Sequence, residues 1–169
     1  LWEKSFQIDD FTEGVDVLHM LVSNDGEMYM VLEKDNVLSR REKHRFDLFV
    51  YDASSPNLNQ IALFMQDKVT YDVKFIIDNR NKRFCAGGLY FERNIERAEG
   101  YFHLSIPHND LLTHRLRFHP FDDNFVSDLE GKEIRQNRGL VEVGINEIVL
   151  RQDGGMLILG EENRNSTRF

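Results

Sequence analysis

Three stretches of the chain follow one pattern, and that repetition constrains the fold more than any other feature. Residues 18–33 read LHMLVSNDGEMYMVLE, residues 73–90 read VKFIIDNRNKRFCAGGLY, and residues 146–161 read NEIVLRQDGGMLILGE. Each joins two apolar, strand-like runs through a polar turn rich in Asn, Asp or Gly. Such residues tolerate the positive φ that tight hairpins require. The pattern predicts an all-β repeat, and repeat folds serve mainly as binding scaffolds.

The residues around each hairpin extend the unit. In the first, 18–22 and 28–32 are too apolar for a sheet with one wet side, so both faces are expected to be covered. RFDLFVYD (45–52) makes a third strand with Phe46, Leu48 and Val50 on one face, a turn falls at 54–59, and 60–65 makes a fourth strand. The second unit repeats the order. Residues 71–77 set Val73, Phe75 and Ile77 on one face, 78–82 turn, and 83–91 return. In 100–106, Phe102, Leu104 and Ile106 alternate with Tyr101, His103 and Ser105. Gly87-Gly88 inside the return strand signals a bulge or a close backbone approach. The third unit has its hairpin, 145–150 and 156–159, followed by the polar tail 163–169.

The stretch before the third unit differs. Phe118, Phe121, Phe125 and Leu129 recur at three- and four-residue intervals with Gly131 just beyond. That spacing predicts a short amphipathic helix with a glycine stop. Asn109 is a candidate cap for another helical turn at 109–116. The expected fold is therefore all-β, with antiparallel propeller-like blades. It has two near-complete units (15–65 and 71–107), a partial third (139–162) and a helical insertion around 109–131. Together they form a single β-rich domain or part of a larger propeller.

The net charge of −8 argues against nucleic acid or an anionic membrane surface, which need clustered Lys and Arg. No apolar run approaches the ~18–20 residues of a membrane-spanning helix. The single cysteine, Cys85, excludes an internal disulfide and reads as a small buried hydrophobe. A chain that begins at Leu1 is expected to be a segment or processed product of something longer.

Catalytic signatures are lacking. His103, His108, His114 and His119 do not have the spacing of a helical or strand metal site, so no metal is expected. Asp9-Asp10, Asp122-Asp123 and Glu161-Glu162 are adjacent carboxylates, which a strand turns to opposite faces. Glu33 and Glu161 each lie eight residues after the Asp of their turn, which reads as a structural echo of the repeat. There is no nucleophile elbow, phosphate loop or dinucleotide motif. No catalytic residue and no cofactor is assigned. The charged loops 34–45 and 92–99 hold equivalent places in successive units and are expected to form a rim. Arg40, Arg41, Lys43, His44, Arg93 and Arg97 are its candidate partner-binding residues.

FIIDNRNKRFCAGGLYFERNIERAEGYFHLSI (75–106) resembles a pattern in large β-rich proteins of the Bacteroidota cell envelope. In those, a strand and turn lead into an "AGfYs"-like return strand and then a "GvfyLkid"-like strand. GLVEVGINEIVLRQDGGMLILGEE (139–162) resembles the strand pair that follows. VSNDGEMYMVLEKD with HRFDLFVYD resembles an upstream unit. The resemblance implies a β-propeller-like fold, export to the periplasm or cell surface, and no catalytic residues. Two and a half units do not close a propeller, so the expected partner is another protein or the remainder of a parent chain. The function expected is a non-enzymatic binding or scaffold module. One alternative is part of a carbohydrate-active enzyme or glycan-binding protein, with carboxylates converging beside Tyr29, Tyr90 or Tyr101. The other is a subunit of a large envelope complex.

Overall fold

The computed structural model describes residues 15–34, 44–52, 54, 58–92, 97–131 and 139–162. The chain divides between Gln66 and Asp67 into two compact units. Both are built from antiparallel strands, and one short helix is present among the described residues.

The first unit is a four-stranded meander: β1 (Val15–Val22), β2 (Met28–Lys34), β3 (Arg45–Tyr51) and β4 (Leu58–Phe64), hydrogen-bonded in sequence order. Its first turn closes locally. Ser23 N donates to Glu27 O at 2.8 Å and Gly26 N to Ser23 O at 3.0 Å. Gly26 sits at φ 86°, a region where a side chain is strained. The pairing sets Tyr29 opposite Val50, Val31 opposite Leu48, and Leu48 opposite Ile61. All five are buried, which fixes the register: a slip of one residue would turn this apolar face to water.

The second unit contains a second four-stranded meander, order β5 (Val69–Asp78), β6 (Arg83–Phe91), β8 (Gly100–Pro107), β9 (Arg115–Pro120). The two-residue strands β7 (Arg97–Ala98) and β10 (Leu140–Val141) pair with each other. Helix α1 (Asp123–Glu130) and the hairpin β11 (Val143–Leu150) and β12 (Met156–Glu162) complete it. Phe84, Ala86, Phe102, Leu104 and Ile106 are buried on one face of the meander. Gly88 serves that face, since a Cβ there would lie 2.5 Å from the Phe102 ring. Cys85 is buried, and burial raises its thiol pKa.

The helical expectation over 109–131 is corrected. Residues 115–120 form β9, the fourth strand of the second meander, and 109–116 carry no helical turn. The three- and four-residue spacing of the phenylalanines competes there with a two-residue alternation. Leu116 pairs with Leu104 and Phe118 with Phe102, while Arg115, Arg117 and His119 turn the other way. Pairing to β8 satisfies the backbone and partly buries both apolar residues, so alternation prevails. The helix begins only at Asp123. Asp122 caps it by accepting from Phe125 N at 2.7 Å, and Gly131 ends it at φ 68°, the glycine stop that the sequence foretold. The lead-in before residue 15 and the polar tail 163–169 lie outside the described residues.

The β11–β12 hairpin docks on the second meander at three places. Gly87 is the close approach expected of the Gly-Gly pair: a Cβ there would lie 3.0 Å from Ile158 Cδ1 and 3.1 Å from Ile148 Cδ1. The bulge is in β5 instead, between Tyr71 and Lys74. Asp72, inside that bulge at φ 48°, accepts a hydrogen bond from Ile145 N. At the other end Arg83 donates to Gly154 O in the hairpin turn. Asp78 orients that guanidinium, accepting from Arg83 Nε at 3.0 Å and Nη2 at 2.8 Å. Burial alone would push the Asp78 carboxyl up, but the bonds from Asn81 and Arg83 outweigh it and hold its pKa below the ordinary value.

Candidate functional cleft

Between the exposed face of the second meander and the β11–β12 hairpin lies a cleft of about 970 Å³. Strand alternation builds its polar wall. Tyr101, His103 and Ser105 of β8 project to one side, and pairing sets them opposite His119, Arg117 and Arg115 of β9. Arg83 of β6 lines the end nearest the hairpin turn. The opposing wall is apolar, from Met156 to Leu159 of β12. Phe121, and Phe125 and Leu129 of α1, close the remaining side.

The polar wall is a row of rings. His119 stacks between Tyr101 (4.9 Å between centroids, 15° between planes) and His103 (5.2 Å, 16°). His119 Nε2 and His103 Nδ1 share a hydrogen bond of 3.2 Å. Partial burial lowers the His103 pKa, and His119 and Arg117 lower it further, so at neutral pH this imidazole is uncharged. Phe121 continues the row, 6.2 Å from Tyr101 and 5.2 Å from Phe125. Arg115 and Arg117 are exposed along it. In a chain of net charge −8, this wall is a local concentration of cations beside flat apolar surfaces.

The carboxylates that line the cleft among the described residues, Glu161 and Glu162, are neighbours on one strand. Two carboxylates facing each other across a cleft are what glycoside hydrolysis requires. Of the three tyrosines singled out from sequence, Tyr101 lines the cleft. Tyr90 is buried edge-on against Phe118, and Tyr29 is buried with its hydroxyl on Glu27 Oε2 at 2.9 Å. Burial is the main cause of the raised Tyr29 pKa. No group of three or more metal-ligating side chains occurs among the described residues, and no helix there is long and apolar enough to cross a membrane.

Of the residues expected at a rim, His44 and Arg97 are among the described residues. Arg40, Arg41, Lys43 and Arg93 lie outside the described residues. His44 is buried just before β3, its Nε2 3.8 Å from Glu33 Oε1 and its ring edge-on to Phe46. Arg97 clasps the second unit internally: its Nη1 donates to Glu130 Oε1 at 3.3 Å and to Gly139 O at 3.1 Å. The sequence marks His119 only as one of four histidines without metal spacing and does not mark Arg115 or Arg117, because the phenylalanine spacing gives their segment a helical period. The alternating run Arg115-Leu116-Arg117-Phe118-His119 was the signal that could have placed them on a strand.

Comparisons with known protein families, curated proteins and solved structures gave no match.

Proposed function

We propose that the chain is a non-enzymatic binding or scaffold module built of propeller-type blades, and that the cleft of the second unit is its working surface. The observation that carries this reading is the make-up of that cleft: cations and stacked rings on one wall, apolar strand on the other, and carboxylates from one strand alone. A surface of this kind suits an anionic or amphipathic ligand, and its carboxylates, neighbours on one strand, are not set against each other across the cleft. The two four-stranded meanders and the third hairpin support propeller-type repetition. The motifs at 75–106 and 139–162 favour a cell-envelope protein at the periplasm or cell surface, within a larger propeller or complex. The ligand is then a protein partner or the remainder of a parent chain.

A panel of chromogenic glycosides and an array of synthetic peptides of graded net charge test the reading together. Saturable binding of acidic peptides, weakened by Arg117→Ala, with no glycoside turnover is the expected result. Turnover that disappears in Glu161→Gln would falsify it. The flat platform of Tyr101, His119 and His103 also suits stacking on a sugar face, so glycan binding is the second reading. Binding on a glycan array that is lost in Tyr101→Ala, with the peptides silent, would select it.

A further inference from the structure

The hairpins β1–β2 and β11–β12 share one pairing register, residue for residue, at one constant offset in sequence. Val15 pairs with Lys34 as Val143 pairs with Glu162, and Val22 with Met28 as Leu150 with Met156. The register slips at the same step in both, between Val17 and His19 and between Ile145 and Glu147. The turns close alike: Arg151 N donates to Gly155 O at 2.9 Å and Gly154 N to Arg151 O at 3.1 Å, as Ser23 and Gly26 do in the first hairpin. Gly154 has φ 83° against 86° for Gly26. What differs is the far edge. β2 pairs along its length with β3, from Met28 opposite Tyr51 to Lys34 opposite Arg45. Among the described residues β12 pairs with β11 alone.

We propose that β12 and the cleft beside it take up an antiparallel pair of β-strands from a partner polypeptide. Its first strand pairs with β12 in the register that β3 keeps with β2, and it presents a carboxylate to Arg115 and Arg117. This deepens, and rests on, the binding-module reading. Alternation from the bonded pair Arg151 and Gly155 turns the amide of Leu157 toward β11 and those of Met156 and Ile158 toward the open edge. The edge carries no Pro and no Lys between Met156 and Gly160, so nothing in its sequence discourages a further strand. Partner residues opposite Met156, Ile158 and Gly160 share their side of the sheet, the side facing β6 and the cleft. At the place of Gly160 the first hairpin has Leu32, and β3 sets Asp47 opposite it. An acidic residue at the matching position of the partner enters the cleft that Gly160 lines together with the exposed Arg115 and Arg117.

The probe is a synthetic two-strand hairpin peptide with Val and Phe opposite Met156 and Ile158 and Glu opposite Gly160, together with its Glu→Lys counterpart. Both are titrated into the intact chain and followed by fluorescence anisotropy and amide hydrogen exchange. The Glu peptide is expected to bind at least about tenfold more tightly than the Lys peptide. It should also slow exchange at Met156 and Ile158 about tenfold or more. The double variant Arg115→Glu, Arg117→Glu should reverse the preference for the two peptides while leaving the β5–β8 amides as they were, which shows that the fold is kept. Peptide binding that leaves the β12 amides at their original rates overturns strand addition and leaves the binding reading standing. Binding of neither peptide, with acidic linear peptides still captured, does the same. A dimer by sedimentation, with β12 protected before any peptide is added, assigns the edge to a second copy and overturns the proposal.

Discussion

The hairpins β1–β2 and β11–β12 share a turn, a bulge and a register, yet their equivalent side chains live in different surroundings. Tyr29 and Val31 of β2 are fully buried, whereas Leu157 and Leu159, which hold the same places in β12, are 51% and 41% exposed. Backbone geometry is therefore settled within the hairpin, by a glycine at positive φ and two short hydrogen bonds. Burial is settled outside it, by which elements cover each face. The same sequence pattern thus makes a core in one place and an open surface in another.

The largest expected contrast comes from truncating the equivalent residues. Tyr29→Ala removes a buried ring and should destabilise the first unit by about 3–4 kcal/mol. Leu157→Ala removes a half-exposed side chain and should cost about 1 kcal/mol or less. Urea unfolding followed by hydrogen exchange, which reads the two units separately, checks both. Equal losses would mean that the β12 face is as well covered as that of β2.

The anchoring of the third hairpin can be cut next. Asp78→Asn leaves the Arg83 guanidinium without its carboxylate and loosens its hold on Gly154 O, at an expected cost of about 2 kcal/mol. Because the folded-state pKa of Asp78 lies below its ordinary value of 3.8, the group stabilises the fold above that pH. The contribution fades as the pH falls through the lower, folded value. The parent should therefore lose stability on acidification in that window, and Asp78→Asn should lose less. An unchanged acid limb in the variant would show that the Asp78–Arg83 pair does not anchor the hairpin.

What was legible from sequence divides along the same line as the two hairpins. Turns built on Asn, Asp and Gly are local, so all three hairpins were found, with strand limits moving by two or three residues. Gly87-Gly88 announced a close approach, and a Cβ at Gly87 would press on the Ile148 and Ile158 side chains at 3.1 and 3.0 Å. The cleft was hidden for a different reason. Arg117 meets His103, and His119 meets Tyr101, only once β9 pairs with β8. The spacing of Phe118, Phe121 and Phe125 masked that pairing, because a short run can satisfy a helical and a strand period at once. The anchors of Arg97, Glu130 and Gly139, lie far along the chain, and no local pattern announces them.

Local encoding of the turn makes a smaller, matched prediction. Gly26→Ala and Gly154→Ala both place a Cβ at strongly positive φ, and space does not forbid either: nothing lies within 4 Å at Gly26, and the nearest atom at Gly154 is Arg83 Nη2 at 3.4 Å. The strain should cost about 1 kcal/mol in each case. Thermal unfolding of the two variants should give nearly equal shifts. A much larger loss at Gly154 would mean that the Arg83 contact, rather than the turn conformation, dominates at that position.

The smallest effect is expected where the comparison is sharpest. Val31 and Leu159 occupy the same register position, yet the first is fully buried and the second is not. Thr is a good strand former, so Leu159→Thr keeps the backbone preference, exposes a hydroxyl to water and should change stability by about 0.5 kcal/mol or less. Val31→Thr is nearly isosteric but puts a hydroxyl into the buried face, where it should cost about 1–2 kcal/mol. If Leu159→Thr proved as damaging as Val31→Thr, the outer face of β12 would be shielded from water in solution. If it were neutral and also reduced self-association at high concentration, the exposed leucines would be the adhesive face of a hairpin whose covering element comes from elsewhere.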